Sequence, residues 1–105
     1  MKKKIKNLVI HGRRWFDRKN GNTYHTVEVF VNGVNIGKSI IRYGYGEQYI
    51  DSALEILQLH DLWPQTGEYL SSGISKDRND FTVFLRDSKP KPVTICSDVS
   101  RQKDL

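Results

Sequence analysis

The 105-residue sequence has one cysteine, three prolines and no apolar run approaching the roughly 18 residues of a membrane-spanning helix. A single cysteine excludes an internal disulfide and a thiolate metal cluster. Lys2, Lys3 and Lys4 resemble the start of a signal peptide, but no apolar stretch follows them. We therefore expect a cytoplasmic protein that does not associate with membranes, folded as a single domain over residues 1–105.

Sequence motifs of catalysis are also missing. No nucleophile elbow, Walker motif or dinucleotide-binding fingerprint occurs. His11, His25, His60 and Cys96 lack the spacing of metal ligands, so we expect no metal and no cofactor. Asp17 could pair with His25 as an acid and a base, but an aspartate in a turn more simply bonds its own backbone. These absences favour a binding protein over an enzyme.

The positive charge is concentrated at one end of the chain. Residues 1–19 carry eight basic residues and one acidic residue, a net charge of +7, whereas the remaining 86 residues carry nine basic and eleven acidic residues, a net charge of −2. Two interpretations remain open: a solubilising basic tail at residues 1–4 followed by an ordinary surface strand, or a face directed toward anions.

Hydrophobic periodicity predicts strands at residues 5–16, 24–31 and 34–43, followed by a helix at 47–60. His25, Val27, Val29 and Val31 alternate with polar and aromatic residues, as in a half-buried strand. Asn32-Gly33 is a strong hairpin signal. In the helix, apolar residues at 50, 53, 54 and 57 form one stripe.

The second half of the sequence has weaker signals. Residues 65–80 are polar and contain glycine, so we expect a long loop there. Phe81 to Arg86 alternates like a fourth strand, Val93 to Val99 has the length of a short edge strand, and residues 100–105 are expected to be frayed. The predicted order is β-β-β-α-β with an optional fifth strand. This is an α+β fold in which an antiparallel sheet of four or five strands carries one helix on one face.

Hairpin register brings three segments together at one end of the predicted sheet. A two-residue turn at Asn32-Gly33 pairs Val31 with Val34, and the first hairpin then sets Phe16 beside Tyr24. Arginine binds phosphate through paired hydrogen bonds, and nucleic-acid bases stack on aromatic rings. The predicted phosphate contacts are Arg13, Arg14, Arg18, Lys19 and Arg42, and the predicted stacking residues are Trp15, Tyr24, Tyr43 and Tyr45. The alternative is cross-strand packing in which the arginines lie on the rings.

A protein-binding surface is the second possibility. Glu47, Asp51 and Glu55 recur every four residues along the helix, and Phe30 lies on the strand face opposite the valines. A helix that enters a DNA groove would instead present cations. These four residues predict contact with a protein partner, either a host protein or a second copy in a homodimer.

Two motifs resemble small uncharacterised proteins of bacteriophages and prophages. They are the stretch HGRRWFDRKNGNTYH at residues 11–25 and YGYGEQY at residues 43–49, and the resemblance covers roughly residues 8–60. It implies a phage origin, and hence the host cytoplasm, but no particular activity. Many accessory phage proteins of this size bind host defence components, either as anti-CRISPR inhibitors or as sponges for nucleotide signals. By that analogy the resemblance implies an anti-defence or host-takeover role.

Together these observations predict a non-enzymatic protein that binds a phosphate-rich ligand, nucleic acid or a signalling nucleotide, through a basic and aromatic surface at the sheet end. The alternative is a protein inhibitor or homodimeric interaction protein that docks on a host enzyme.

Overall fold

A computed structural model describes residues 5–44 and 46–105. The predicted basic tail at residues 1–4 and the predicted stacking residue Tyr45 lie outside the described residues. The chain forms strands β1 (Leu8–Asp17), β2 (Asn22–Val31), β3 (Val34–Lys38) and β4 (Arg42–Tyr43), then helices α1 (Gln48–Leu59) and α2 (Lys76–Asp87), strand β5 (Val93–Val99) and a short 3-10 helix (Gln102–Asp104). The α+β class is confirmed.

The five strands form one mixed sheet, not an antiparallel one. Its order is β3-β2-β1-β5, and β4 pairs with β2 beyond the end of β3. The hairpins make β1, β2, β3 and β4 antiparallel, whereas β5 runs parallel to β1. The prediction of a wholly antiparallel sheet is wrong in this respect, because two helices and their connections separate β5 from the hairpins and bring the chain back in the direction of β1.

The second hairpin confirms the turn predicted from sequence. Asn32 and Gly33 adopt positive φ angles of 52° and 83°, and Val31 pairs with Val34. The register then shifts between Val29 and Phe30, so that Val29 faces Gly37. Pairing continues past this irregularity to Lys38, where β3 ends, and the predicted single strand over 34–43 is divided into β3 and β4.

The first hairpin differs from the predicted register by one residue. Trp15, and not Phe16, pairs with Tyr24. Asp17 accepts hydrogen bonds from the backbone N–H groups of Lys19 and Asn20 and from the Asn20 side chain. These bonds, with that of the Asn20 side chain foremost, hold the pKa of Asp17 below its usual range. Asp17 therefore acts as a turn residue and bonds its own backbone.

The core lies between the sheet and α1. We call the sheet side that packs on α1 the inner face and the opposite side the outer face. Ile10, Val27 and Val29 on the inner face are at most 1% exposed. The predicted apolar stripe of α1 is buried against them, including Ala53 and Leu57, which are fully buried. Gly12 sits at the centre of β1 beneath α1.

Residues 81–86 belong to α2, so the predicted fourth strand is wrong. Phe81 is fully buried, Phe84 and Leu85 pack against the core, and Val83 is exposed, which is the spacing of a helix face. Ser75 caps α2 by accepting from the backbone N–H of Arg78, and the helix begins within the loop expected at 65–80. Alternation at 81, 83 and 85 matched a strand only because Phe84 was not counted as core.

The end of the chain is tied to the far side of the sheet. The Lys38 ammonium on β3 donates to the Leu105 carbonyl oxygen at 3.2 Å. Since β3 and β5 form opposite ends of the main strand path, the residues after β5 reach across the sheet. Within residues 5–44 and 46–105, no helix combines the length and the apolar character needed to cross a bilayer.

Candidate ligand-binding site at the sheet end

Three of the predicted stacking residues form a row on the outer face. Trp15 pairs with Tyr24, and Tyr24 pairs with Tyr43 on β4. The ring centroids of Trp15 and Tyr24 are 5.9 Å apart in a stacked arrangement, and those of Tyr24 and Tyr43 are 5.9 Å apart edge to face. Tyr43 is 66% exposed. We call Trp15, Tyr24 and Tyr43 the aromatic row; their three rings lie side by side on the outer face, on neighbouring strands.

Two of the predicted phosphate contacts lie on the inner face at that same level. Arg14 pairs with His25 across β1 and β2, and His25 pairs with Arg42 on β4. Because neighbours along a strand point to opposite faces, Arg14 points away from the side that carries Trp15. The expectation that all the cations and rings share one patch is therefore wrong: sequence counting treated the end of the sheet as one surface, whereas the pleat divides it.

Arg13 and Arg42 of the predicted site have carboxylate partners. Arg13, on the outer face, pairs with Glu28 at 2.7 Å, and its side-chain hydrogen bond holds the pKa of Glu28 below the usual range. Arg42 pairs with Glu55 of α1 at 2.7 Å. These two arginines anchor neighbouring elements.

Arg18 and Lys19 differ from the other predicted phosphate contacts. Both lie exposed in the turn after β1 and form no ion pair with the residues that the structure describes. A cation that is not held in a salt bridge can bind an incoming anion without first breaking one. Arg18 and Lys19 are therefore available to a ligand.

Arg14 holds two elements together. Its Nε donates to the Asp98 carboxylate of β5 at 3.2 Å, and its Nη1 donates to the carbonyl oxygen of Gly46, just before α1, at 3.1 Å. The side chain of Arg14 is 29% exposed and that of Asp98 is 79% exposed. Two of the five guanidinium N–H groups are thus engaged, and the other three have no acceptor among the residues that the structure describes.

A cleft of about 720 Å³ opens beside Arg14. The parallel pairing of β1 and β5 ends at Trp15 and Val99, while β1 continues to Asp17, so the edge of β1 is uncovered beyond that level. Side chains from both faces reach this open edge, which is how Arg14 and Trp15 come to line the same space. Its principal lining residues are Arg14, Trp15, Phe16, Arg18, Gly46 and Asp98.

A buried polar link supports this end of the sheet. His25 is 2% exposed; its Nδ1 lies 3.3 Å from the Gly44 carbonyl oxygen, and its Nε2 lies 2.8 Å from the Ser52 hydroxyl of α1. A neutral ring that donates from Nδ1 and accepts at Nε2 satisfies both contacts. Burial, opposed by the Gly44 hydrogen bond and aided by the charge of Arg42, keeps the pKa of His25 below its usual value. Ser52 is itself buried, so this pair ties α1 to β2.

The residues predicted for a protein interface are partly used within the molecule. Asp51 pairs with Arg78 of α2, and Glu55 pairs with Arg42. Glu47 is exposed at the start of α1, and Phe30 is half-buried on the outer face. The acidic stripe on α1 therefore holds α2 and β4 in place at two of its three positions.

Two residues of the cleft, Asp98 and Gly46, were missed by sequence reasoning. Asp98 lies 84 positions from Arg14 in the chain, and only the parallel pairing of β1 with β5 brings the two together. Gly46 takes part through its backbone carbonyl, which no side-chain pattern reveals. The one feature of the sequence that could have indicated this contact was an acidic residue in a strand that pairs with an arginine-rich strand.

Within the described residues, no three histidine, cysteine, aspartate or glutamate side chains are grouped so that they could hold a metal ion. Cys96 lies on the inner face of β5, and burial raises the pKa of its thiol, so it packs as a small apolar side chain. No protein-family model, curated protein or solved structure matches this chain.

Proposed function

We propose that this protein is a non-enzymatic binding protein for a phosphate-rich ligand that carries a base, and that the ligand enters the cleft at the sheet end. In this proposal Arg14 and Arg18 bind phosphate, and Trp15 and Phe16 contact the base. If the chain is phage-encoded, as its resemblance implies, the ligand would be a nucleic acid or nucleotide signal of the host.

The observation that carries the proposal is the meeting of two arginines and two rings in one cleft. A volume of about 720 Å³ lies within the roughly 300–1,000 Å³ typical of small-ligand sites. Arginine offers paired donors to phosphate, and a ring offers a stacking face to a base. Phe16 is 54% exposed although it is apolar, which leaves its ring available for contact.

The aromatic row suggests how a longer ligand would continue. Trp15 belongs both to the cleft and to the row of Trp15, Tyr24 and Tyr43. A single strand anchored in the cleft would extend its next bases along the outer face, near Arg13. A mononucleotide would use the cleft alone. The two ligand sources share a base and a phosphate, and they differ in their need for the outer rings.

Fluorescence of Trp15 gives a direct binding assay. Trp63 is the only other tryptophan; it packs on Phe81 and Phe84 at centroid distances of 5.1 and 5.3 Å, and its indole nitrogen has no hydrogen-bond partner among the described residues. A Trp63→Phe background therefore leaves Trp15 as the sole reporter without removing a hydrogen bond. We expect quenching on titration with AMP, cyclic AMP or a short oligothymidylate.

Arg18→Ala tests the phosphate contact. A hydrogen bond to a charged group contributes about 1.5–3 kcal/mol, so affinity should fall roughly 10- to 100-fold. Arg18 is exposed in a turn, so the melting temperature should not change. Arg86→Ala is the matched control, because Arg86 is an exposed arginine outside the cleft and its loss changes the net charge equally. Equal weakening by both variants would contradict a specific contact.

Salt dependence separates the two ligand sources. For a single strand, each neutralised phosphate contributes about −0.7 to the slope of log affinity against log salt. Tyr43→Ala should weaken binding of the oligothymidylate and leave nucleotide binding unchanged. A salt slope near zero for the oligothymidylate would eliminate polynucleotide as the ligand.

One observation favours a second candidate, a protein-binding module. On the outer face of β5, Val93 and Ile95 are 46% and 49% exposed, and the far edge of β5 has no strand partner among the described residues. An exposed apolar edge strand is a typical docking site for another chain. Val93 also neighbours Val9, which pairs with Phe30. Light scattering of nuclease-treated protein tests a homodimer, with Ile95→Lys as the variant that should disrupt it. The same molar mass for the parent protein and for the variant would exclude a homodimer through this edge.

A further inference from the structure

Asp98 is the one acidic residue among the principal lining residues of the cleft, and it already contacts the cation that a phosphate would need. Its carboxylate accepts from the Nε of Arg14 at 3.2 Å. The contact is a single hydrogen bond, and the Asp98 side chain is 79% exposed. An exposed pair of this kind stabilises the fold by at most about 1 kcal/mol. The Asp98 carboxylate also changes the net charge of the cleft, and this matters more for ligand binding than the salt bridge matters for folding.

The charges of the principal lining residues leave one positive charge uncompensated. Arg14 and Arg18 contribute two positive charges, and Asp98 contributes one negative charge. A phosphodiester carries a single negative charge and would neutralise the remainder. A phosphate monoester carries two at neutral pH, so its second charge would face the Asp98 carboxylate with no remaining cation to compensate it.

We propose that the cleft is matched to a phosphodiester and that Asp98 is its specificity-determining residue, which disfavours the second charge of a phosphate monoester. This inference rests on the proposed function, since it requires phosphate at Arg14. The phosphodiester comes either from a cyclic nucleotide or from a nucleic-acid backbone, and both have the same local chemistry.

Coulomb's law gives the size of the effect. Two unit charges about 4 Å apart in water interact by about 1 kcal/mol, which corresponds to a factor of roughly five in affinity. The value for water is appropriate because Asp98 is mostly exposed. Neutralising Asp98 should therefore strengthen binding about fivefold for each ligand charge: about fivefold for cyclic AMP and about 25-fold for AMP.

Asp98→Asn is the decisive variant. Asparagine keeps an oxygen that accepts from the Nε of Arg14, so the geometry is retained while the charge is lost. Asp98→Ser makes the same change of charge without an amide. Glu68→Gln is the matched control, because Glu68 is an exposed acid outside the cleft and forms no ion pair with the described residues.

The experiment measures dissociation constants of AMP, cyclic AMP and an oligothymidylate without a terminal phosphate, for the parent protein and for each variant. We expect both Asp98 variants to shift the preference between AMP and cyclic AMP about fivefold toward AMP, and Glu68→Gln to leave it unchanged. A stronger response of the oligothymidylate than of cyclic AMP would identify the backbone as the source of the phosphodiester; the reverse would identify the cyclic nucleotide.

The possible failures are distinguishable. If Arg18→Ala weakens binding but the Asp98 variants leave the ratio of AMP to cyclic AMP affinity unchanged, the phosphodiester inference is overturned and the proposed function stands. If neither nucleotide nor the oligothymidylate binds to the parent protein or to the Asp98→Asn variant, both are overturned.

Discussion

Gly12 is a position where the packing of α1 on the sheet is sensitive to one added carbon. A Cβ at residue 12 would lie 2.7 Å from Cδ2, 2.8 Å from Cγ and 3.2 Å from Cβ of Tyr49 on α1. Ordinary carbon contacts are about 3.5–4.0 Å, so the Tyr49 side chain would have to move by about 1 Å. Tyr49 is 8% exposed, and burial raises the pKa of its hydroxyl above the usual value. The ring therefore has little room to retreat.

Gly12→Ala should lower the free energy of unfolding by about 1–2 kcal/mol. Overpacking a core costs about 1–3 kcal/mol, and the upper half of that range applies to contacts as short as 2.7 Å; replacing glycine within a strand recovers about 0.5–1 kcal/mol. For a domain of this size the melting temperature should fall by about 5–15 °C. Urea denaturation followed by circular dichroism measures the change directly.

Gly37→Ala is the matched control. Gly37 also lies in the sheet with an ordinary φ angle, but a Cβ there would meet the Ile56 Cγ2 atom at 3.3 Å and the His60 Nε2 atom at 4.0 Å. We expect a change close to zero for this variant. In a Tyr49→Ala background, most of the penalty of Gly12→Ala should disappear, since the two shortest contacts are to ring atoms and only the 3.2 Å contact to Cβ remains. A Gly12→Ala variant as stable as the parent, or a penalty that survives removal of the ring in full, would refute this view of the packing.

Three further predictions concern the supports of the fold. Ser75→Ala removes the cap of α2 and should cost about 1 kcal/mol in urea denaturation; no loss would mean that the cap bond does not form. Asp77 is 6% exposed and accepts hydrogen bonds from both the backbone N–H and the hydroxyl of Thr66. Asp77→Ala should therefore lower the free energy of unfolding by about 2–3 kcal/mol, and a variant as stable as the parent would refute the role of these two bonds. The pKa of His25 is lowered in the folded protein, so as the pH falls the unfolded chain takes up a proton at this residue before the folded protein does. The contribution of His25 to the free energy of unfolding is therefore complete above about pH 6.5 and is lost below it. The stability difference between the parent and His25→Gln should therefore shrink from pH 7 to pH 5, and a constant difference would contradict a buried neutral ring.

Strong local signals made the first half of the fold predictable. The alternating valines of β2, the Asn32-Gly33 turn and the apolar stripe of α1 each have one structural interpretation. The alternation at 81–86 has two structural interpretations, because residues four positions apart, such as Phe81 and Leu85, share one side of a helix and also one side of a strand. Only the tertiary packing of Phe84 decides between them.

The site was less predictable than the fold for a geometric reason. A register error of one residue moves a side chain to the other face of a sheet, and both hairpins departed from the counted register. Trp15 and Arg14 are neighbours in β1 and point to opposite faces in any register, so the single surface that we expected is divided by the pleat. They meet again only at the open edge of β1, and the position of that edge depends on where β5 ends.

Mapping of the bound ligand by amide chemical shifts tests most directly whether the cleft is the binding site. The protein would be labelled with nitrogen-15 and titrated with cyclic AMP, with the Arg18→Ala variant in parallel. We expect the largest shifts at Phe16, Arg18, Gly46 and Asp98, and their loss in the variant. Shifts confined to the outer face around Val93 and Ile95, or unchanged by Arg18→Ala, would contradict phosphate binding at the sheet end.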